Sequence, residues 1–416
     1  MAPFAIDTAV VACPRADTPE AGLLARRVAG LPLLTRSLLT AQQAGIQCFA
    51  VVASGPQQPA LQAGLEGEAR LRGRVRWVEP MEDPRIEAGT ILVLPPSVVL
   101  EAGALREWLG RVVDGKRVTA TDDGDVGPLA VPAALLTSCI RAALQGQPDL
   151  KKFLAKLDED GRLVRLPWKG SAQQPVRLPG EIPAVERALL EALRSPDDGP
   201  VVDRYLNRTV SAILTRGLLN SRVTPNQVTG MSLLAGLVGA WLLGGEGGIR
   251  SLLGLILFQL SIILDHVDGE IARLKYRFSR LGKWLDNFSD HAVDLAVIAY
   301  LTWRVAKGHP PMYFIVLGLA AGLGVTGAFL VVFGWTMSGR QRLVRTTATA
   351  RLLARLLATL ANRDGFCLAL WLTLLLGNPE WFLWALALGA NAYWVAWLIV
   401  YGIPSRSREA TVGSVV

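Results

Sequence analysis

Three regimes of hydrophobic patterning follow one another along the chain. Up to about residue 160, short apolar runs alternate with helical periodicity. Ala9–Cys13 and Cys48–Ala53 read as buried strands, with Leu31–Ala44 as the helix between them. Ile91–Leu94 reads as a further strand, and a helix follows near Ala104–Val113. That alternation predicts an α/β layer on a largely parallel sheet. Residues 161–200 are rich in Pro, Gly and charge, and their later part predicts a helix and then a linker. In Val202–Ser221 the apolar residues Tyr205, Leu206, Val210, Ile213, Leu214 and Leu218 recur at helical spacing, while Arg204, Arg208 and Arg216 lie elsewhere. A basic amphipathic helix just before a membrane span predicts an interfacial helix; a surface helix of the first domain is the other reading. Six apolar stretches follow, at about 228–245, 250–272, 284–303, 311–335, 365–378 and 381–402. A helix crosses the hydrocarbon core with about 20 apolar residues, so all six are candidate spans, the fifth being short.

Composition agrees with this division. Hydrophobic residues make up 51% and charged residues 19% of the 416, and the mean hydropathy is +0.34. The length predicts two or three domains. The formal net charge of +8 could mark a nucleic-acid binder. The basic residues crowd the ends of apolar segments instead, which favours anionic lipid headgroups and excludes nucleic acid as the expected partner. Arg216 and Arg222 precede the first span, Lys275, Arg277, Arg280 and Lys283 lie between the second and third, residues 340–363 carry six arginines between the fourth and fifth, and Arg406 and Arg408 follow the sixth. Alternate loops are thus basic, which predicts both termini in the cytosol of a prokaryotic inner (plasma) membrane. The N-terminus has no basic segment followed by an apolar core, so the first domain is expected on the same side. Cys13, Cys48, Cys139 and Cys367 are scattered without metal spacing and read as reduced thiols.

Charge inside spans is costly, so intramembrane carboxylates are candidates for function. Ten acidic residues lie between 203 and 402, and six of them fall within 265–294. Asp265 and Asp268 are three apart, with Gly269 and Ala272 continuing the face; Asp286 and Asp290 are four apart, with Gly282 one turn earlier. Two antiparallel helices joined by a short basic turn would aim all four carboxylates at one point, where they cannot all stay ionised without cations. Hard oxygen ligands suit Mg²⁺, Mn²⁺ or Ca²⁺. A two-metal site could clamp a pyrophosphate and stabilise displacement at phosphorus. Gly269, Ala272 and Gly282 would let a nucleotide approach the backbone. A structural network of aspartates with nearby Lys and Arg is the alternative, but it has no need of Gly and Ala at these intervals. Glu270 and Asp294 read as solvated or supporting groups, and His266 and His291 as packing or supporting groups.

Asp265-x-x-Asp268-Gly269-x-x-Ala272-Arg273, then eight residues, then Gly282-x-x-x-Asp286-x-x-x-Asp290, resembles the signature of the CDP-alcohol phosphatidyltransferases without a departure. The resemblance extends over about 203–402 and includes Thr224-Pro225-Asn226-Gln227-Val228-Thr229 before the first span. It implies a six-helix membrane bundle, usually a homodimer, with the active site open to the cytosol. It implies that Asp265, Asp268 and Asp286 bind metal, Mg²⁺ or Mn²⁺, and the CDP diphosphate, together with Gly269, Ala272, Arg273 and Gly282. Asp290 also lies at the metal site and is the implied general base, with CMP as product.

The first domain is similar to a nucleotidyltransferase through Arg27-Val28-Ala29-Gly30-Leu31-Pro32-Leu33-Leu34 and Ala41-Gln42-Gln43-Ala44-Gly45-Ile46. In some relatives such a domain makes CDP-inositol, which the fused membrane domain uses. Here the stretch Ala12–Gly22 has two prolines and one glycine where a Gly-rich phosphate loop is needed, and the strand at Ile91 ends in Pro95-Pro96-Ser97 instead of an aspartate. Loss of catalysis in this domain is the expectation. The layout is therefore a soluble α/β nucleotidyltransferase-like domain at 1–195, a linker and interfacial helix at 196–222, a bundle of six transmembrane helices at 223–404 and a tail at 405–416. CDP-diacylglycerol is the first-choice donor for a hydroxyl acceptor in phospholipid synthesis. CDP-inositol with an inositol-phosphate acceptor is the alternative, and an inactive membrane scaffold the third. The basic loop Arg340–Arg363 would suit a phosphorylated acceptor or, equally, lipid headgroups. Choline-like acceptors are disfavoured, since no aromatic cage is evident.

Overall fold

A computed structural model describes residues 6–15, 18, 21–66, 68–80, 89–112, 115–122, 127–170, 173–193, 206–307, 310–338 and 363–402. The linker, most of the Arg340–Arg363 loop, the tail and part of the candidate phosphate loop (Ala16, Asp17, Pro19 and Glu20) lie outside the described residues. The chain divides into two compact units: Met1–Ser195 with Arg216–Ser221 and Leu274–Tyr276, and Pro196–Thr215 with Arg222–Arg273 and Arg277–Val416.

The first unit is built on strands β1 (Thr8–Ala12), β2 (Arg27–Val28), β3 (Leu31–Pro32), β4 (Cys48–Val52), β5 (Val75–Val78), β6 (Thr90–Leu94), β7 (Val98–Leu100), β8 (Val118–Thr121), β9 (Leu129–Pro132), β10 (Leu163–Leu166) and β11 (Gln173–Pro175). Its helices are α1 (Leu33–Ala44), α2 (Gln58–Glu66), α3 (Ala102–Leu109), α4 (Ala133–Gln145), α5 (Gln147–Glu159) and α6 (Ile182–Ala192). Seven strands form one sheet in the order β10-β8-β9-β6-β1-β4-β5. β1 pairs in parallel with β4 and β6, β4 with β5 and β8 with β10; only β9 runs antiparallel, to β6 and β8.

The unbroken apolar runs of the sequence have a direct cause here. Side chains alternate between faces, and both faces are covered. Ala9 and Val11, Phe49 and Val51, and Leu92 and Leu94 enter one core with α1 and α3; Val10 and Ala12, Ala50 and Val52, and Ile91 and Val93 enter the other with α4 and α5. α1 begins at Leu33 and not at Leu31, because Pro32 holds the residue before it extended, and Leu31–Pro32 becomes a strand. α3 ends at Leu109, ahead of Gly110, short of the expected Val113. The Val28-Ala29-Gly30-Leu31 motif is a two-residue hairpin in which Ala29 and Gly30 both have positive φ, 48° and 81°. A side chain at Gly30 would meet the Leu219 carbonyl at 2.5 Å, so glycine is required there on two counts. The Ala29 N–H donates to buried Glu186 (2.8 Å), and buried Arg36 donates to the carbonyls of Val28, Ala29 and Leu274.

The second unit holds most of α7 (Arg208–Leu218), then α8 (Pro225–Leu243), α9 (Gly248–Leu274, to Arg273), α10 (Arg280–Ala306), α11 (Pro311–Ser338), α12 (Arg363–Leu375) and α13 (Pro379–Gly402). The six helices from α8 onward follow the six apolar stretches of the sequence. Four of them contain segments long and apolar enough to cross a membrane: Pro225–Leu243, Gly248–Leu274, Pro311–Val331 and Pro379–Leu398. α10 carries too many charges to meet that criterion, and the apolar part of α12, Gly365–Leu375, is short. The helices turn Leu234, Trp241, Leu253, Ile256, Leu319, Leu323 and Leu388 outward, which suits a lipid surround and not water. They approach one another through small residues: a side chain at Gly239 would meet the backbone of Gly254 and Phe258 at about 3 Å. Thr224 and Gln227 form a capping box at the start of α8, with Pro225 at its first turn.

Burial separates the cysteines. Cys13, Cys139 and Cys367 are buried and Cys48 is exposed. Burial alone pushes the Cys13 and Cys139 thiols up to about 12, far above any thiolate-forming pH in solution. A water-soluble maleimide at pH 7.5 should therefore modify Cys48 first, and the other three only after denaturation. Mass spectrometry of the native, pulse-labelled protein checks this; early labelling of Cys13 or Cys139 would contradict the packing of β1 or α4.

Candidate functional site

The site is built at the C-terminal part of α9 and the N-terminal half of α10. One carboxylate oxygen from each of Asp265, Asp268 and Asp286 lies within 4.8 Å of the others. Asp268 is buried, and Asp265 and Asp286 are half-buried. Thr229, one turn into α8, donates its hydroxyl to Asp268 Oδ2 at 2.5 Å. That bond fixes the carboxylate rotamer and leaves the second oxygen for another partner. Asp286 Oδ1 is buried with no hydrogen-bond partner. Three converging hard-oxygen donors, on residues one of which keeps an orphaned buried oxygen, fit a divalent cation of the Mg²⁺ or Mn²⁺ type.

The fourth carboxylate of the motif takes another partner. Asp290 accepts a hydrogen bond from Arg363 Nη1, at the start of α12. The same nitrogen is 3.7 Å from Asp265 Oδ2, and Arg363 Nε is 3.9 Å from Asp294 Oδ1. Asp294 is therefore not solvated: it lies half-buried beside this guanidinium, two turns along α10 from Asp286.

Glu270 also departs from the solvated reading. It is buried, and its two oxygens accept from Ser211 (2.8 Å) and Thr215 (2.6 Å) on α7. Two hydroxyls satisfy it without an opposite charge. They also explain why the amphipathic helix has an inward polar stripe, Ser211 and Thr215 being its buried residues. His291 stacks on Phe329 at 4.4 Å and lies 3.3 Å from the Thr326 hydroxyl, so it packs and does not join the converging carboxylates.

The motif's two glycines have different surroundings. At Gly269 the nearest atoms an added side chain would meet belong to the Arg273 guanidinium, at 3.5 Å, an ordinary contact. Half-buried Ala272 and exposed Arg273 continue the same stretch of α9. At Gly282 a side chain would meet Ser279 Oγ at 2.8 Å and Asn226 Oδ1 at 3.4 Å. Ser279 caps α10 by accepting from the Gly282 N–H, so this glycine serves the cap and its contact with α8.

Residues 222–401 match the sequence profile of the CDP-alcohol phosphatidyltransferase family. A relative from Thermococcus kodakarensis, named bifunctional IPC transferase and DIPP synthase, is 31% identical over 53% of this chain and 48% of its own length, so this chain covers about half of it. A relative of the same name from Rubrobacter xylanophilus is 28% identical over 85% of this chain and 86% of its own. Among solved structures, the inositol-1-phosphate CTP transferase from T. maritima matches 44% of this chain and 97% of that one, at 12% identity and a TM-score of 0.32.

Replacing Thr229 by Val should lower the transfer rate by about tenfold or more, since a hydrogen bond to a charged group contributes roughly 1.5–3 kcal/mol. Thr229→Ser should restore most of it. Equal rates for wild type and Thr229→Val would mean that Asp268 is oriented without this hydroxyl. Residues 222–401 are thus the part of the chain that matches the CDP-alcohol phosphatidyltransferase family.

Proposed function

We propose that the chain transfers a phosphoalcohol group from a CDP-linked donor to a hydroxyl acceptor and releases CMP, using Mg²⁺ or Mn²⁺ in a two-metal site. The convergence of Asp265, Asp268 and Asp286 within an undeparted family signature carries this reading. Those three residues would hold the metal and, through it, the diphosphate. Gly269, Ala272, Arg273 and Gly282 would line the cytidine end. A bound cation supplies charge neutralisation at the diphosphate and eases departure of CMP. Asp290 takes the proton from the acceptor hydroxyl as its oxygen attacks the phosphorus that bears the donor alcohol, and the bond from that phosphorus to the CMP oxygen breaks. The domain works as a homodimer of six-span bundles, with both termini and the site on the cytosolic face.

The donor is read as polar, of the CDP-inositol type. Support comes from the Rubrobacter relative: its alignment covers more of this chain than either unit alone holds, and its name couples an IPC transferase to a DIPP synthase. A lipid donor, CDP-diacylglycerol, ranks first on the sequence alone and is the second reading. It is favoured by the edge of the first unit where nucleotide chemistry would sit. Pro14, Pro95, Pro96 and Ser97 line the cavity there, where a glycine-rich phosphate loop and a strand-end aspartate would be needed. We infer that the first unit no longer makes a CDP-alcohol.

Asp265→Ala, Asp268→Ala or Asp286→Ala should each abolish transfer while the protein still inserts. More than about a tenth of wild-type activity in any one of them would sink the metal site. Asp290→Asn should still bind the CDP donor but turn over roughly 10²–10⁴ times more slowly.

Purified protein supplied with CDP-inositol or CDP-diacylglycerol and a panel of acceptors, with CMP release followed, separates the two donors; no CMP from either points to a scaffold. CTP with alcohol phosphates should give no pyrophosphate. Steady pyrophosphate release would make the protein bifunctional.

A further inference from the structure

Arg363 lies outside the family signature, 73 residues beyond Asp290, yet its guanidinium sits among three of the carboxylates. Its side chain is only 16% exposed. We propose that Arg363 is a resident counter-ion of the aspartate site: it holds Asp290 when no divalent cation is bound, and it releases that carboxylate when a cation loads the neighbouring aspartates. The proposal rests on the metal reading given above and deepens it.

The geometry of the contact carries the inference. A guanidinium has five N–H donors in a fixed fork, and a permanent buried ion pair uses them bidentately. Arg363 makes one hydrogen bond, through Nη1 to Asp290. Its approaches to Asp265 and Asp294, at 3.7 and 3.9 Å, are too long to be hydrogen bonds. Nε and Nη2 are buried without hydrogen-bond partners, and so is Asp294 Oδ1. The group is held by charge and not by shape, and charge can be exchanged for that of another cation. Asp265 belongs to both sets: it is one of the three converging ligands and also the second carboxylate near Nη1. A divalent cation on Asp265 would therefore lie close to the guanidinium, and the two like charges would repel in a half-buried setting where screening is weak. Loading of the metal and release of Asp290 are thereby coupled, and the residue read as general base becomes free only in a loaded site. Arg363 is a positioning residue in this scheme.

The test is Mn²⁺ binding to the full-length protein without substrate, measured by titration calorimetry or electron paramagnetic resonance. Arg363→Gln should bind Mn²⁺ roughly tenfold more tightly than wild type or better, because a repelling charge is gone. Arg363→Lys, which keeps the charge, should stay near wild type. In EDTA the Arg363→Gln protein should melt lower than wild type, and added Mn²⁺ should raise its Tm by more than it raises the wild-type Tm. Unchanged or weaker Mn²⁺ binding by Arg363→Gln overturns the proposal, and a lowered Tm without tighter binding leaves Arg363 a purely structural ion-pair partner. If the variant folds only with cation present, protein purified in Mn²⁺ and mixed with chelator gives the answer. Slower Mn²⁺ release than wild type supports the proposal, and equal or faster release overturns it. Failure of the wild-type protein to bind Mn²⁺ would overturn the metal reading itself, an outcome distinct from the others.

Discussion

Carboxylates crowded among apolar helices have to be neutralised, and the architecture of the second unit answers that need. Leaving a charge buried without compensation costs several kcal/mol per ion. Three kinds of compensation are present. Glu270 takes two hydroxyls from α7, so the amphipathic helix is tied to the signature helix by a neutral device. Asp268 takes the Thr229 hydroxyl from α8. Asp265, Asp290 and Asp294 share the one guanidinium of Arg363. Asp286 Oδ1 receives none of these, and its residue is one of the three whose carboxylates converge. The small residues complete the design, because Gly236 and Gly239 let α8 come close enough for short side chains to reach across.

The first unit follows a different logic. Its stability lies in strands buried on both faces, where β1, β4 and β6 send alternate residues into two separate cores. Nothing in that packing requires the loops at the strand ends to retain chemistry. Prolines after β1 and β6 change what those loops can bind and leave the sheet register untouched. The hairpin at Ala29-Gly30 illustrates the difference, since its two positive-φ residues are demanded by packing against Leu219 and by the bond to Glu186.

Legibility in the sequence tracked how local each constraint is. The strands at Thr8, Cys48 and Thr90 and the six helices from Pro225 onward could be read from periodicity, because each element carries its own pattern. The convergence of Asp265, Asp268 and Asp286 could be read because their spacing lies within two helices joined by a short turn. Thr229, Arg363 and the Ser211–Thr215 pair could not, since they stand 39, 73 and 55–59 residues from the carboxylates they touch. Thr229 reads as part of the entry to the first span, and Arg363 as the end of a basic loop suited to a phosphorylated acceptor or lipid headgroups, so neither points to an aspartate. Glu270 reads as solvated or supporting, and the choice is hidden in the sequence because the hydroxyls that satisfy it lie 55–59 residues away. Gly282 carries a second constraint that the sequence pattern does not show, its contact with Ser279 and Asn226.

Helical geometry explains why the four signature aspartates do not behave alike. Each residue turns about 100° around the axis, so Asp290 is offset from Asp286 by about 40°, and Asp294 by about 80°. Along α10 the carboxylates therefore turn around the axis, and Asp290 and Asp294 come beside Arg363 of α12. The result is a site with two poles. Asp265, Asp268 and Asp286 form one, short of positive charge; Asp290 and Asp294 form the other, where Arg363 supplies it. In-line displacement at phosphorus needs that asymmetry. In the proposed chemistry the departing CMP phosphate has to meet cations on one side, while the attacking hydroxyl has to meet a carboxylate free to accept its proton on the other. A cluster with all four aspartates on one cation would leave no such base. Under the proposed chemistry, the turn along α10 separates metal binding from proton transfer within a single helix.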